Sequence, residues 1–396
     1  VGLLKRKLIS SLEINVYFLI LRWLCVDDIS VERGIFGQCD SPTDTNKCLS
    51  LSIKNRRLYM SFKNNDLTGM TYVDTISDIW IHVAFVYDYT LKRQLIYLNG
   101  VVDATSGPTG IAIDPYQGTS GGITIGKTYS SDIFRGRIDH MQVTGRAKTA
   151  CEILNDATLT AYYPFDVDNS HLDYSNNNIH GIANLLISTV GRVNYAYSFQ
   201  DEYSYFQSRA FVEYREAEPF SISVWVKPFV VNGGTIIHIS TGDNGQGDCC
   251  FDLLGFSSSG QLAGRLYDSW SYSCLVNSVT EYNCRGTVTV SGPIMPVNSW
   301  THIVLTYSND NGMALYTNGT LQGVTDGFSS FSPTPYDYDY RRPYFTVGNM
   351  RKSGGAPGCL SGDPAIATAT YKGLIDELRI YSRELTQTEI CSLHHV

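Results

Sequence analysis

The residues with the most chemical reach in this chain are tyrosines set among opposite charges. The segment SPTPYDYDYRRPY, Ser332 to Tyr344, carries Tyr336, Tyr338, Tyr340 and Tyr344 beside Asp337, Asp339, Arg341 and Arg342. A phenol ring has a flat apolar face and a hydroxyl at its edge, which suits a sugar ring or a protein partner. DSWSYS, Asp268 to Ser273, adds a second aromatic group around Trp270. Strand-like alternation would instead bury one side of these rings, and that structural reading stays open. Signatures of nucleophilic or zinc chemistry are absent, since the sequence has no Gly-x-Ser-x-Gly elbow and no His-Glu-x-x-His pair. His82 and His302 each lie two residues after a tryptophan. They read as strand-borne polar residues facing solvent or a backbone partner, not as catalytic bases.

Ten cysteines form an even set with no Cys-x-x-Cys pair, a pattern that points to disulfides in an oxidising compartment and away from zinc. Cys39 with Cys48, and Cys274 with Cys284, would each close a short loop, and bridges of that size contribute about 2–3 kcal/mol. Cys250 or its neighbour Cys249 with Cys359 is a third pairing. Cys151 and Cys391 read as buried free thiols on short helical segments. Asn318-Gly319-Thr320 is an N-glycosylation acceptor, of weight only if its turn is exposed.

The elements that must position these residues are written twice. WIHVAFVYDYTLKRQLIYLNGVV from Trp80 is answered by WTHIVLTYSNDNGMALYTNGTLQ from Trp300, ITIGK by FTVGN, and FRGRIDHMQVTGRAKTACEI by YKGLIDELRIYSRELTQTEI. The period is too long for a solenoid, so each copy is a domain. FSISVWVKP, Phe220 to Pro228, alternates apolar and polar positions as a half-buried strand does. Asn99-Gly100 and Asn318-Gly319 are tight-turn signals. Each copy ends in a strand and one helical turn, with capping-box spacing at Thr149 to Glu152 and Thr386 to Glu389. The helix is expected to act as a lid. Trp80, Trp225 and Trp300 are expected to fill cores.

Composition agrees. Thirty-five glycines and 27 tyrosines suit turn-rich β structure, and a net charge of −8 without a basic run argues against nucleic-acid binding. The sequence opens without methionine, as a fragment or processed product does. The apolar run INVYFLILRWLCV, Ile14 to Val26, reads as a buried strand, with a signal or anchor remnant or a mistaken exon as alternatives. It is too short to cross a bilayer, and no membrane insertion is expected.

AYYPFD, LDYSNNNIHG, GRVNYAYSF, FSISVWVKP, WTHIVLTYS, LYTNGTLQG and GLIDELRIYSREL, in that order, resemble the laminin-G-like jelly-roll family of the concanavalin A-like superfamily. The resemblance covers residues 158–396, and residues 30–157 are similar to the later part of the same domain. It implies an all-β fold of two tandem antiparallel sandwiches, residues 1–157 and 158–396, each closed by a short helix. The first is expected to be N-terminally truncated and open along one edge, which favours pairing with the second domain or another chain.

Members of this family often hold calcium near a sandwich edge, so the resemblance implies Asp166, Asp173, Asn178 and Asp376 as oxygen ligands. The alternative for Asp173 is a loop cap through its own side chain, and for Asp376 and its counterpart Asp139 a hydrogen bond between terminal strands. Glucanases of the superfamily carry a Glu-x-Asp-x-x-Glu strand that is absent here; Glu213, Glu216 and Glu218 differ in spacing and precede Phe220 in a loop. The pentraxin branch does not match at Ser221 to Trp225. The expected protein is an extracellular, secreted or cell-surface pair of non-catalytic modules. Rim loops would bind glycans or glycosylated matrix. Adhesion to extracellular proteins or a spacer role is the alternative, and a degenerate glycosidase a more distant one.

Overall fold

A computed structural model describes residues 18–41, 43, 46–62, 65–75, 80–106, 116–119, 122–166, 171–175, 177–209, 218–240, 242–243, 245, 250–276, 279–328, 343–348, 365–367 and 369–395. The chain divides into two compact units, Val1–Thr158 and Leu159–Val396.

Unit 1 contains β1 (Phe18–Val26), β2 (Arg33–Gln38), β3 (Leu49–Lys54), β4 (Arg57–Ser61), β5 (Asp66–Tyr72), β6 (Trp80–Asp88), β7 (Arg93–Leu98), β8 (Val101–Thr105), β9 (Ile123–Ile125), β10 (Asp132–Ile133), β11 (Gly136–Thr144) and helix α1 (Ala150–Thr158). One sheet has the order β11-β1-β6-β7-β8; the other runs β10-β2-β3-β4-β5, with β9 also paired to β2. Leu24, Val26, Val83, Phe85 and Ile96 of the first sheet meet Ile35, Leu51, Ile53, Leu58 and Met60 of the second in one buried cluster. The described part of the apolar N-terminal run, Phe18–Val26, is therefore a central strand, since β1 pairs on one side with β6 and on the other with β11. A signal-like reading of Phe18–Val26 is set aside on that ground.

Unit 2 contains β12 (Leu159–Tyr163), β13 (Ile182–Asn184), β14 (Ile187–Val190), β15 (Tyr195–Phe199), β16 (Tyr205–Ser208), β17 (Phe220–Pro228), β18 (Gly234–Ser240), β19 (Cys250–Phe256), β20 (Gln261–Val276), β21 (Val279–Ile294), β22 (Thr301–Ser308), β23 (Gly312–Thr317), β24 (Thr320–Val324), β25 (Tyr344–Val347), β26 (Gly373–Tyr381) and helix α2 (Gln387–His394). Its sheets run β14-β15-β26-β17-β22-β23-β24, with β12 also on β26, and β13-β16-β25-β18-β19-β20-β21. Alternation along β17 and β22 sends Ile222, Val224, Ile303 and Leu305 inward to meet Ile237, Ile239, Leu254 and Phe345 of the facing sheet. Both units are β-sandwiches, as the strand patterning implies.

Both copies carry the same bulge. Asp376 and Glu377 both turn away from the core between inward Ile375 and Leu378, with Glu377 at φ 53°; Asp139 and His140 do the same between Ile138 and Met141, with His140 at φ 48°. The ladder shifts register opposite, between Ser223 and Trp225 and between Leu21 and Trp23. An extra residue in one strand re-aims side chains in this way. Asn99-Gly100 and Asn318-Gly319 have positive φ at both positions, the I′ geometry their sequence predicts. Each Asn Oδ1 accepts the backbone N–H of the repeated histidine, His82 or His302, at 2.9 Å. That tie gives the repeated Asn-Gly a structural reason.

Helices α1 and α2 lie on outer sheet faces. Ile153 packs on Ala84, Val86 and Tyr97, and Ile390 on Val304, Tyr381 and Leu385. Both capping boxes form, with Thr149 and Glu152, and Thr386 and Glu389, each exchanging hydrogen bonds. The lids correct three expectations. Trp225 is buried, but it lies outside the inter-sheet core: Arg192 stands 4.7 Å over its ring and His394 of α2 stacks on it at 5.4 Å. Trp300 is half-buried and Trp80 is 37% exposed, because both sit at strand starts. His82 and His302 face away from the core yet are buried, rather than reaching solvent. Cys151 and Cys391 are free thiols on the helices, as expected, but Cys151 is exposed and Cys391 half-buried.

Candidate functional site

Register brings Tyr344 and the backbone of the strand that carries Trp270 to one end of one sheet. Tyr344 opens β25 and lies opposite Ser240, the last residue of β18; Ser240 in turn lies opposite Cys250, the first of β19. Since β19 and β20 run antiparallel through Leu254 and Gly264, β20 reaches this same end near Tyr267 and continues past it. There β20 pairs with β21 as far as Val276 and Val279, with Trp270 opposite Arg285. A two-stranded ribbon of that length extends roughly 25 Å beyond its sheet at about 3.3 Å per residue. Tyr336, Tyr338 and Tyr340 lie outside the described residues, as do Glu213 and Glu216. Tyr344 is where their loop re-enters the sheet. The Arg209 guanidinium stands 4.2 Å over the Tyr344 ring and also donates to its hydroxyl.

Beneath this rim is a set of polar side chains that motif reading missed. His238 Nδ1 is 3.0 Å from Asp252 Oδ1, and its Nε2 is 2.9 Å from the Gly245 carbonyl. Gln207 Nε2 donates to the Asp243 carbonyl at 3.1 Å and to Thr346 Oγ1 at 2.9 Å, while Ser240 Oγ donates to the Gly242 carbonyl at 2.8 Å. His238, Gln207, Ser240 and Asp252 are all buried. Side chains of two strands, β16 and β18, thus fix the described carbonyls of the β18–β19 connection, which lowers the ordering cost of any ligand bound there. The sequence signal available was a histidine within the apolar run GTIIHIS of β18.

The four residues implied for calcium do not come together as one donor set. Asp173 is saturated: its Oδ1 accepts the N–H groups of Tyr162 and Ser175, and its Oδ2 accepts the Ser175 hydroxyl and the Ile179 N–H, all at 2.7–2.9 Å. It ties β12 to the following loop, the local role its sequence context allows. Asn178 is exposed and left-handed at φ 55°.

Asp166 and Asp376 meet elsewhere, around the β14–β15 turn. Asp376 Oδ2 accepts the N–H groups of Arg192 and Val193 at 2.8 and 3.0 Å, and Asp166 accepts from Tyr195 and Asn194. A Cβ at Gly191 would stand 2.6 Å from Asp376 Oδ2, so the turn requires glycine there. Burial raises the Asp376 carboxyl to about 7; the Val193 N–H opposes that rise and the Glu377 charge adds to it. Asp376 thus ties its terminal strand to the β14–β15 turn rather than to another terminal strand, whereas among the described residues Asp139 meets its neighbour His140, through that residue's N–H and its ring nitrogen. Among the described residues, no group of three or more His, Cys, Asp or Glu side chains is placed to hold a metal ion.

The histidines are not bases poised for neutral pH. Burial lowers His302 to about 3, with His394 and Arg379 adding to the effect, and lowers His82 to about 4, aided by Lys148. His302 Nε2 is satisfied by Ser223 Oγ at 2.8 Å.

Cys39 and Cys48 form the expected disulfide. Cys274 lies opposite Glu281 and Cys284 opposite Ser271, three ladder positions apart, so a bridge between them requires a different register. Cys250 opens β19, and Cys249 and Cys359 lie outside the described residues. Asn318 is exposed at its turn, but Gly319 abuts Cys391 of α2.

The laminin G-type sequence pattern of the Concanavalin A-like lectin/glucanases superfamily matches residues 21–154 and 200–391, one stretch in each unit. The chain belongs to this superfamily. No curated protein matches it. Among solved structures, this superfamily member is similar to domain 4 of AbnA, a GH43 extracellular arabinanase from Geobacillus stearothermophilus in complex with arabinotriose. Identity is 19% and the TM-score 0.37, over 60% of this chain and 98% of that one. The binding domain of botulinum neurotoxin DC in complex with rat synaptotagmin II matches at 18% identity and TM-score 0.38, over 61% of this chain and 52% of that one. The botulinum neurotoxin serotype D ligand binding domain in complex with N-acetylneuraminic acid matches at 13% identity and TM-score 0.38, over 61% and 51%. The chain spans about half the length of these toxin domains. Among the described residues no helix is long and apolar enough to cross a membrane.

Proposed function

We propose that the chain is an extracellular, non-catalytic pair of sandwich modules whose second unit binds carbohydrate through the rim at Tyr344 and Trp270. The observation that carries this reading is the register, which brings the start of β25, the anchored β18–β19 connection and the β20–β21 ribbon to one end of one sheet. Such a rim combines aromatic faces for sugar rings with fixed backbone carbonyls for hydroxyls. Membership of a superfamily that includes lectins is in keeping with it, as fold-level analogy only. The disulfide in unit 1 is in keeping with secretion.

The test is a glycan array probed with the full chain, with calcium and again with chelator, followed by titration of any hit. Binding to a defined glycan class should weaken at least about tenfold in Trp270→Ala and in Tyr344→Ala, as truncation of a central aromatic does. Loss of binding with chelator would assign calcium a part in recognition, and unchanged binding would assign it to the rim side chains alone. Silence from a folded, monodisperse chain would overturn the reading in favour of protein adhesion.

A further inference from the structure

Two Asn-Gly turns share one geometry and differ in one residue. Asn99-Gly100 joins β7 to β8, and Asn318-Gly319 joins β23 to β24. In each, the asparagine N–H donates to the carbonyl of the repeated histidine, His82 or His302, and the asparagine Oδ1 accepts that histidine's N–H. The next residue is Val101 in unit 1 and Thr320 in unit 2. Asn318-Gly319-Thr320 is the one Asn-x-Ser/Thr in the chain, so only this turn is written as an acceptor for a glycan. The fold leaves it available. Asn318 and Thr320 are exposed, while Gly319 between them is buried against α2 and its carbonyl accepts from Gln387 Nε2. With Oδ1 turned to His302, Nδ2 is the free end of the amide, and it has no hydrogen bond among the described residues. A substituted amide keeps its carbonyl oxygen, so the tie to His302 survives at a modified Asn318.

Register sets where that turn stands. Thr317 lies opposite Ile303 near the start of β22, and Thr301 lies opposite Val226 near the end of β17. Pro228 closes β17 opposite Gly373, and β18 begins close by, since Gly234 lies against Tyr371. β18 then runs to Ser240, opposite Tyr344, at the other end. We infer that Asn318 carries an N-linked glycan and Asn99 does not, which places the sugar at the end of unit 2 away from the aromatic rim. In the transfer, Asn318 Nδ2 attacks C1 of an oligosaccharide linked to a lipid pyrophosphate. The Nδ2–C1 bond forms, the C1–O bond to the pyrophosphate breaks, Nδ2 gives up one proton, and the lipid pyrophosphate leaves. The inference rests on the extracellular part of the proposed function, because this chemistry belongs to the secretory route, and not on sugar binding by the rim.

The test secretes the full chain behind a host leader peptide from a glycosylating eukaryotic host, beside two variants that exchange the turns' one difference. Thr320→Val copies Val101, and Val101→Thr copies Thr320; both positions are exposed and both variants keep the asparagine tie. Intact mass and peptide mapping before and after peptide N-glycosidase read occupancy, and protection of core β6 and β22 amides confirms folding. One glycan is expected on the parent chain, with Asn318 left as aspartate after digestion. It should vanish in Thr320→Val, and Val101→Thr should gain a second at Asn99. A folded, secreted parent chain bare at Asn318 would overturn the inference, and so would a glycan that persists in Thr320→Val. Sugar binding by the rim is read separately on the glycan array, so its failure with Asn318 occupied would overturn that reading and uphold this one.

Discussion

Unit 1 and unit 2 share a strand order, a bulge, an Asn-Gly tie and a capped helix, yet the aspartate at the bulge has opposite surroundings in the two. Asp376 is fully buried and receives N–H groups from the β14–β15 turn, whereas the Asp139 side chain is 62% exposed. The neighbour differs as well. Glu377 accepts the Tyr162 hydroxyl and pairs with Arg379, while His140 in the same place stands beside Asp139 at the surface. The same local sequence thus has different energetic weight according to whether strands cover its edge. A motif fixes the backbone path; its surroundings fix what the side chain is worth.

The largest expected contrast is at the tryptophans. Trp225→Ala should cost unit 2 about 3–5 kcal/mol, because a large ring packed between Arg192, His302 and His394 leaves a cavity. Half-buried Trp23, edge-on to His82 at 5.3 Å, should cost unit 1 about 1–2 kcal/mol on the same change. Hydrogen exchange resolved by unit measures both, and equal losses would break the contrast. Reduction of Cys39–Cys48 should remove about 2–3 kcal/mol from unit 1 and nothing from unit 2, read as faster exchange of the core amides of unit 1 with those of unit 2 unchanged.

Asp376→Asn should destabilise unit 2 by about 1–3 kcal/mol at pH 5, since an amide cannot accept all three N–H groups, while Asp139→Asn should stay within about 0.5 kcal/mol. The same pair sharpens the pH dependence. His82 and His302 are held below the ordinary histidine value, so the stability they carry is present above about 6.5 and is lost as pH falls toward 4 and 3. Asp376 has the opposite sign: raised to about 7, its contribution is present below about 4 and is lost as pH rises to 7. Acidification from 7 to 4 should therefore weaken unit 1 more steeply than unit 2, and Asp376→Asn should remove that protection. Equal slopes in pH-dependent exchange would count against the asymmetry. Smallest are the caps: Thr149→Ala and Thr386→Ala should each cost about 1 kcal/mol and by the same amount, detectable as fraying of α1 and α2.

Much of the sandwich was legible because its signals are local. Alternation in FSISVWVKP, Asn-Gly turns and Thr-x-x-Glu boxes each act within a few residues, and the structure contains all of them. Cys39 and Cys48 were legible too, being nine residues apart on a short loop. Burial of particular side chains was not. Trp80 looked like core from its β-branched neighbours but starts a strand and is partly exposed, and His302, expected to face solvent or a backbone partner, is instead covered by a helix far along the chain. The buried His238–Asp252 pair and Gln207 escaped notice because each gains its partner only from a neighbouring strand.

By itself, the sequence determined two copies of an all-β sandwich with capped terminal helices, since periodicity and turn chemistry depend on residues close in the chain. Only the tertiary structure decided that Tyr344 and the Trp270 ribbon share one rim, and that Asp166 and Asp376 hold one turn. These depend on register and on which strands pair across more than a hundred residues. Backbone hydrogen bonds between distant segments set that order, and no local pattern encodes it.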